Sequence, residues 1–190
     1  MKTLYFKIIS TFSFLLIVSC KAQQIYPLNT DYEDIPSDSY IKDLTNELNE
    51  YEGTYKANDQ GTEIYLFITK QENKLVIRPG KQFYRDALII KYIVKNTAGQ
   101  ILQDTKNINN PNIYINSYRT RPTKNTVILY YSGTNCGVGW GDIYLKKINN
   151  TQISWTYQAD STVITEQNCP GNPDLTVYLP KTENLIFTKQ

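Results

Sequence analysis

Residues 126–148 read TVILYY, then SGTNCGVGWG, then DIYLKKI. The outer two runs are rich in β-branched and aromatic residues, which pack well on a pleated surface. The ten residues between them hold four glycines and Cys136. This pattern predicts a strand, a long glycine-rich connection and a second strand, the central hairpin of an all-β domain. Gly137, Gly139 and Gly141 alternate as in a phosphate loop, but such loops lead into a helix whose N-terminus holds the anion, and here Asp142 opens a strand. A wide hairpin using positive φ angles is the expected role of these glycines.

Working outward, strand-like runs recur at 53–58, 63–69, 74–78, 87–95, 100–105, 113–120, 152–160, 175–179 and 185–188. Turn residues separate them, at Gln71 to Asn73, Pro79-Gly80, Thr97 to Gly99, Asn109 to Asn112 and Asn149-Asn150. Connections this short imply sequential antiparallel neighbours. Leu88, Ile90, Tyr92 and Val94 alternate with Lys91 and Lys95, and Ile153, Trp155 and Tyr157 with Ser154, Thr156 and Gln158, so these strands have one dry and one wet face. A meander of about ten such strands closes either as an up-and-down barrel or as a two-sheet sandwich, and the barrel is the favoured expectation.

Two stretches stand apart. Ile41, Leu44, Leu48 and Tyr51 fall at three- and four-residue spacing between an N-cap candidate near Ser37 to Ser39 and Gly53, which predicts one N-terminal helix over 39–51. In Ile64-Tyr65-Leu66-Phe67-Ile68 both faces are apolar, so the outer face needs a cover, for which this helix is the nearest candidate.

At 190 residues one domain with a sizeable core is expected, placed at 39–190. The net charge of +2 gives no basis for nucleic-acid binding. There is no histidine, which excludes Ser-His-Asp and Cys-His catalysis and histidine-ligated zinc. No catalytic residue stands out, an enzyme is the less expected reading, and neither a cofactor nor a metal is expected. Asp31, Glu33, Asp34 and Asp38 lack the spacing and glycine of a calcium loop.

The first nineteen residues open with Lys2 and Lys7, continue with the apolar run Phe12 to Val18 and end at Ser19-Cys20, the marks of a secretory signal. Ile17-Val18-Ser19-Cys20 resembles the lipobox of bacterial lipoproteins. That resemblance implies removal of 1–19 and lipidation of Cys20, hence membrane attachment through the N-terminus. The polar stretch 20–38, with two prolines and no periodicity, reads as a flexible tether. The leader ending in Cys-Lys-Ala-Gln and the tyrosine-rich body resemble uncharacterised lipoproteins of Bacteroidota. Lys21 in place of a retention aspartate, with no acidic run after it, implies the periplasmic face of the outer membrane. Gly53-Thr54-Tyr55 resembles the Gly-x-Trp start of lipocalin-type barrels.

Beyond Cys20, only Cys136 and Cys169 remain, both in turn-rich loops, so an exported chain is expected to join them in a disulfide. Arg119, Arg121 and Lys124 form the densest basic patch, close to Tyr118 and Tyr130. With Trp140, these rings and guanidinium groups are candidates for holding an anionic or sugar ligand. Two functions follow: a lipid-anchored binding module for a small apolar or saccharide ligand within or at the mouth of a barrel, or a structural or protein-interaction protein of the envelope with a filled core.

Overall fold

The structure, a computed structural model, describes residues 22–108 and 110–190. The expected signal segment 1–19 and lipidation site Cys20 therefore lie outside the described residues. Eleven strands follow in order: β1 (Ile25–Pro27), β2 (Tyr40–Lys42), β3 (Gly53–Asp59), β4 (Thr62–Arg78), β5 (Lys81–Lys95), β6 (Ile101–Asp104), β7 (Ile115–Arg121), β8 (Thr126–Tyr131), β9 (Gly141–Lys147), β10 (Gln152–Ala159) and β11 (Leu185–Lys189). Eight of them close into an antiparallel barrel in the order β5-β4-β3-β11-β10-β9-β8-β7, with β7 returning to β5. Of the two expected closures, the barrel is the one formed. β6 pairs with the end of β5, beyond its pairing with β7, and β1 and β2 extend the sheet from the first half of β5 by parallel pairing.

The alternation expected in β5 and β10 sets the interior. Leu88, Ile90, Tyr92, Val94, Ile153, Trp155 and Tyr157 are all buried, joined by Tyr55, Leu66, Tyr131, Leu145 and Phe187 from the other staves. An eight-stranded barrel is just wide enough for side chains to fill. Here the rings do so edge to face, Tyr92 on Tyr131, Tyr131 on Tyr157 and Tyr157 on Trp155, with centroids 5.8–6.5 Å apart. A ligand within the barrel, one of the expected sites, would have to displace this stack.

The helix expected over 39–51 is absent: the segment holds β2, a turn and a single 3-10 turn at Asn49–Tyr51. The cause is local. The Asp43 carboxylate accepts from the backbone N–H of Glu47 at 2.9 Å and of Leu48 at 3.2 Å, the donors a helix needs, and Asn46 takes a left-handed φ of 58°. Ile41 goes into the sheet, Leu44 is exposed, and Leu48 and Tyr51 reach the core. Tyr51 also donates to Asn125 O at 2.8 Å, so the segment shuts the barrel end that carries the β7–β8 turn.

Nor does a helix cover the outer face of β4. Tyr65 lies between the ammonium groups of Lys56 and Lys95, 5.2 and 5.3 Å from its centroid, and Lys106 sits 3.8 Å from the ring centre of Phe67. Lysine stems and cation–π contacts shelter these rings.

Three further expectations are corrected. Gln71 to Asn73 is a bulge inside one long strand, not a turn, because Asp86 accepts the Asn73 N–H and the ladder resumes at Lys74. Residues 175–179 form no strand; Leu179 is buried while the backbone crosses the barrel end, where Pro180 O accepts from the Trp155 indole. The described part of the stretch read as a tether is integral to the fold: β1 pairs with β2, and Leu28 and Ile35 are buried. Lys81 Nζ gathers the carbonyls of Tyr32, Glu33 and Ile35, which holds a segment that lacks any hydrophobic period.

Candidate functional site

β5 changes neighbours along its length. Tyr84 and Arg85 pair with Tyr40 and Ile41 of β2, whereas Ile89 and Ile90 pair with Asn116 and Ile115 of β7. Between these pairings the Leu88 N–H is satisfied by the Ser117 hydroxyl at 2.8 Å, so the barrel wall forks here. Beyond the bulge, β4 and β5 continue as an arm to the turn at Pro79-Gly80, with β2 and β1 added along the free edge of β5. The outer wall, the arm and the Asn110-Pro111 loop enclose an outward-facing groove of about 580 Å³.

Its lining is aromatic, apolar and cationic. Tyr32 stacks on Phe83 with centroids 6.0 Å apart and planes within 8°, and the Arg78 guanidinium lies 5.7 Å from the Tyr32 ring. Tyr118 occupies the bulge of β7, where Ser117 and Arg119 pair with consecutive residues of β8, and bulges commonly re-aim a side chain. Its hydroxyl donates to Asp142 at 3.0 Å; burial, and then this bond, push its ionisation well above the ordinary tyrosine range. Tyr114 and Tyr130 form the far wall at 6.1 Å, and burial raises the Tyr130 hydroxyl as well.

At the floor lies Arg85, only 5% exposed. Its Nη2 donates to Leu28 O at 3.1 Å, while its Nε has no partner among the described residues. Burial lowers its pKa to about 10, which still leaves it charged at neutral pH. The adjacent carboxylate is engaged elsewhere: Asp86 accepts from the Tyr40 hydroxyl and from the N–H groups of Asp43 and Asn73. Lys74, Arg78 and Lys91 also line the groove, and no carboxylate does among the described residues.

Of the five residues singled out as ligand candidates, the groove unites Tyr118 and Tyr130. Trp140 stands one ring beyond Tyr130 at 6.3 Å, 38% exposed, and donates from Nε1 to Ser161 O. Arg119 points to Asp31 at 3.4 Å, and Arg121 lies over Tyr144 beside a separate shallow depression shared with Lys124 and Lys146. The basic patch is thus divided. Cys136 and Cys169 are bonded, with Cα atoms 5.5 Å apart, joining the 132–141 loop to the irregular segment 160–184 as expected.

Sequence reasoning missed Arg85, because the strand reading started at Ala87. Carrying the alternation back over Phe83, Arg85 and Ala87 puts a charge in line with apolar neighbours, which is the signal that finds it. The site has no imidazole, and among the described residues no cluster of three acidic or thiol groups is placed to hold a metal. What the groove offers is a set of rings for a flat or apolar body and a buried cation below.

Comparison with curated proteins and with solved structures yields no match. A family model does match, over residues 1–190, and it is described as "Family of unknown function (DUF6705)". The chain belongs to that family.

Proposed function

We propose that this protein is a lipid-anchored binding module of the cell envelope, held to the outer membrane through Cys20 and taking a small apolar or saccharide ligand in the outer groove. One observation carries the ligand half of this reading: a cavity of about 580 Å³ whose walls are Tyr32, Tyr114, Tyr118 and Tyr130. Rings of this kind stack on sugar faces or apolar chains, and a pocket of this size suits a small ligand. The anchor half is supported by the order of basic start, apolar run and Ile-Val-Ser-Cys ending.

Both halves are testable. Backbone NMR shifts on titration with neutral disaccharides and with medium-chain alcohols are expected to cluster on Tyr114 to Tyr118 and Tyr130; shifts that scatter over the surface sink the groove. Mass spectrometry of membrane-extracted protein is expected to show residues 1–19 missing and acyl mass on Cys20, and processed, membrane-bound Cys20→Ser protein would refute the anchor. A second reading, a protein-interaction role in the envelope, is favoured by the arm, where Ile77 is 72% exposed. A photo-crosslinker at position 77 in intact cells distinguishes it by yielding one stoichiometric protein adduct.

A further inference from the structure

Resting on the groove as a ligand site, we propose that its ligand is an anion: an apolar or saccharide body bearing a carboxylate that seats on the guanidinium of Arg85. Burying a charge costs free energy unless it is paired and hydrogen-bonded, and a buried arginine ordinarily has a carboxylate beside it. Among the described residues no carboxylate hydrogen-bonds Arg85: its one hydrogen bond runs from Nη2 to Leu28 O, and its Nε–H is left without an acceptor. The acids nearest in charge are spoken for, Asp86 by Tyr40 and two backbone N–H groups, Asp31 by Arg119. What the protein withholds, the groove can admit, because Arg85 forms part of its lining.

The class of anion follows from the same geometry. One guanidinium at the floor presents a planar edge of N–H donors that matches the plane and single charge of a carboxylate. Lys74, Arg78 and Lys91 around it raise the local potential and draw anions in, with no acidic side chain among the described lining residues to oppose them. The rings at Tyr118 and Tyr130 then hold the body of the ligand. Such a molecule is either an acidic sugar or a fatty acid, which share the carboxylate.

The experiment titrates the full chain by calorimetry with two matched pairs, digalacturonate against its methyl ester and decanoate against decanol. In one pair the acid is expected to bind at least about tenfold more tightly than its neutral partner, as charge-assisted hydrogen bonds give. The pair that shows this identifies the source of the carboxylate. Arg85→Met, which keeps the stem and removes the donors, is expected to bring acid and neutral partner within about twofold, while Tyr130→Ala weakens both alike. If acid and neutral partner bind equally, with NMR shifts on Tyr118 and Tyr130, the anion inference is wrong and the groove stands. If none of the four binds below about 1 mM, the groove itself is wrong. A preference for acid that survives Arg85→Met overturns the assignment to Arg85.

Should Arg85→Met fail to fold, the unmodified side chain reports directly. The protein has four arginines, so the Arg85 Nε–H resonance is identified through Arg78→Lys, Arg119→Lys and Arg121→Lys. It is expected to move most on saturation with the tighter acid, and a stationary resonance overturns the proposal.

Discussion

Two tryptophans show how differently one residue type serves this chain. Trp155 is fully buried, its indole N–H given to Pro180 O and its ring packed on Tyr157 and Phe187. Trp140 stands at the surface against Tyr130. Trp155→Ala is therefore expected to cost about 3–5 kcal/mol in urea unfolding, against about 1 kcal/mol or less for Trp140→Ala; equal costs would contradict the structure. The period-2 pattern of β10 made Trp155 legible as core. Nothing local distinguished Trp140 as cap or surface ring, because its role depends on Ser161 and Tyr130, which a loop and a neighbouring strand bring to it. Arg85 escaped for a related reason: a charge in a strand reads as outward until the segment from Leu28 to Ile35 is known to cover that face.

At the scale of elements, the strands were readable and their lengths were not. β-prone runs bounded by turn residues located every stave of the barrel, yet β4 runs through its bulge as one strand and β5 begins at Lys81. Register is decided by the partner strand, a non-local fact. The segment before β3 shows the opposite failure, where a sound helical period yielded to one side chain. Asp43 holds that turn through two backbone N–H groups and an ion pair with Lys70 at 2.9 Å, all nearly sealed from water. Asp43→Ala is expected to cost about 3 kcal/mol and to expose Lys70, checked by denaturation and by faster amide exchange at Glu47 and Leu48; an unchanged midpoint would show that the turn holds without it. At the other end, the Cys136–Cys169 bond spans 33 positions. Its loss in Cys136→Ser with Cys169→Ser is expected to destabilise by about 3–4 kcal/mol on the chain-entropy view and to speed proteolysis within residues 160–184 first. Cleavage elsewhere first would argue against the bond as the tie of that segment.

For the whole molecule, tyrosine takes the place that histidine has in many proteins as the group that sets the response to pH. Burial, with Asp86 adding at Tyr40, pushes the hydroxyls of Tyr40 and Tyr51 up to about 12, and burial raises those of Tyr92, Tyr131 and Tyr157 too. A raised folded pKa means that the fold favours the neutral phenol, whereas an unfolded tyrosine ionises near about 10. This stability is therefore complete below about pH 10 and is lost as pH climbs towards 12. With no histidine, the melting temperature is expected to stay level from about pH 7 to 9 and then fall, with the phenolate absorbance of the buried rings appearing only as the chain unfolds. Phenolate absorbance amounting to all sixteen tyrosines while the chain is still folded would refute it. The closure of the barrel also has a consequence in time. β3 finishes its pairing only with β11, through partners such as Lys56 and Thr188 that stand 132 positions apart. At about 5–20 residues per second, a ribosome takes on the order of ten seconds to deliver the second after the first. For that interval one edge of β3 stays open, a template for any strand that passes. This barrel cannot close before β11 has been made, so its last seam is the slowest part of its assembly and the stage most exposed to pairing with the wrong strand.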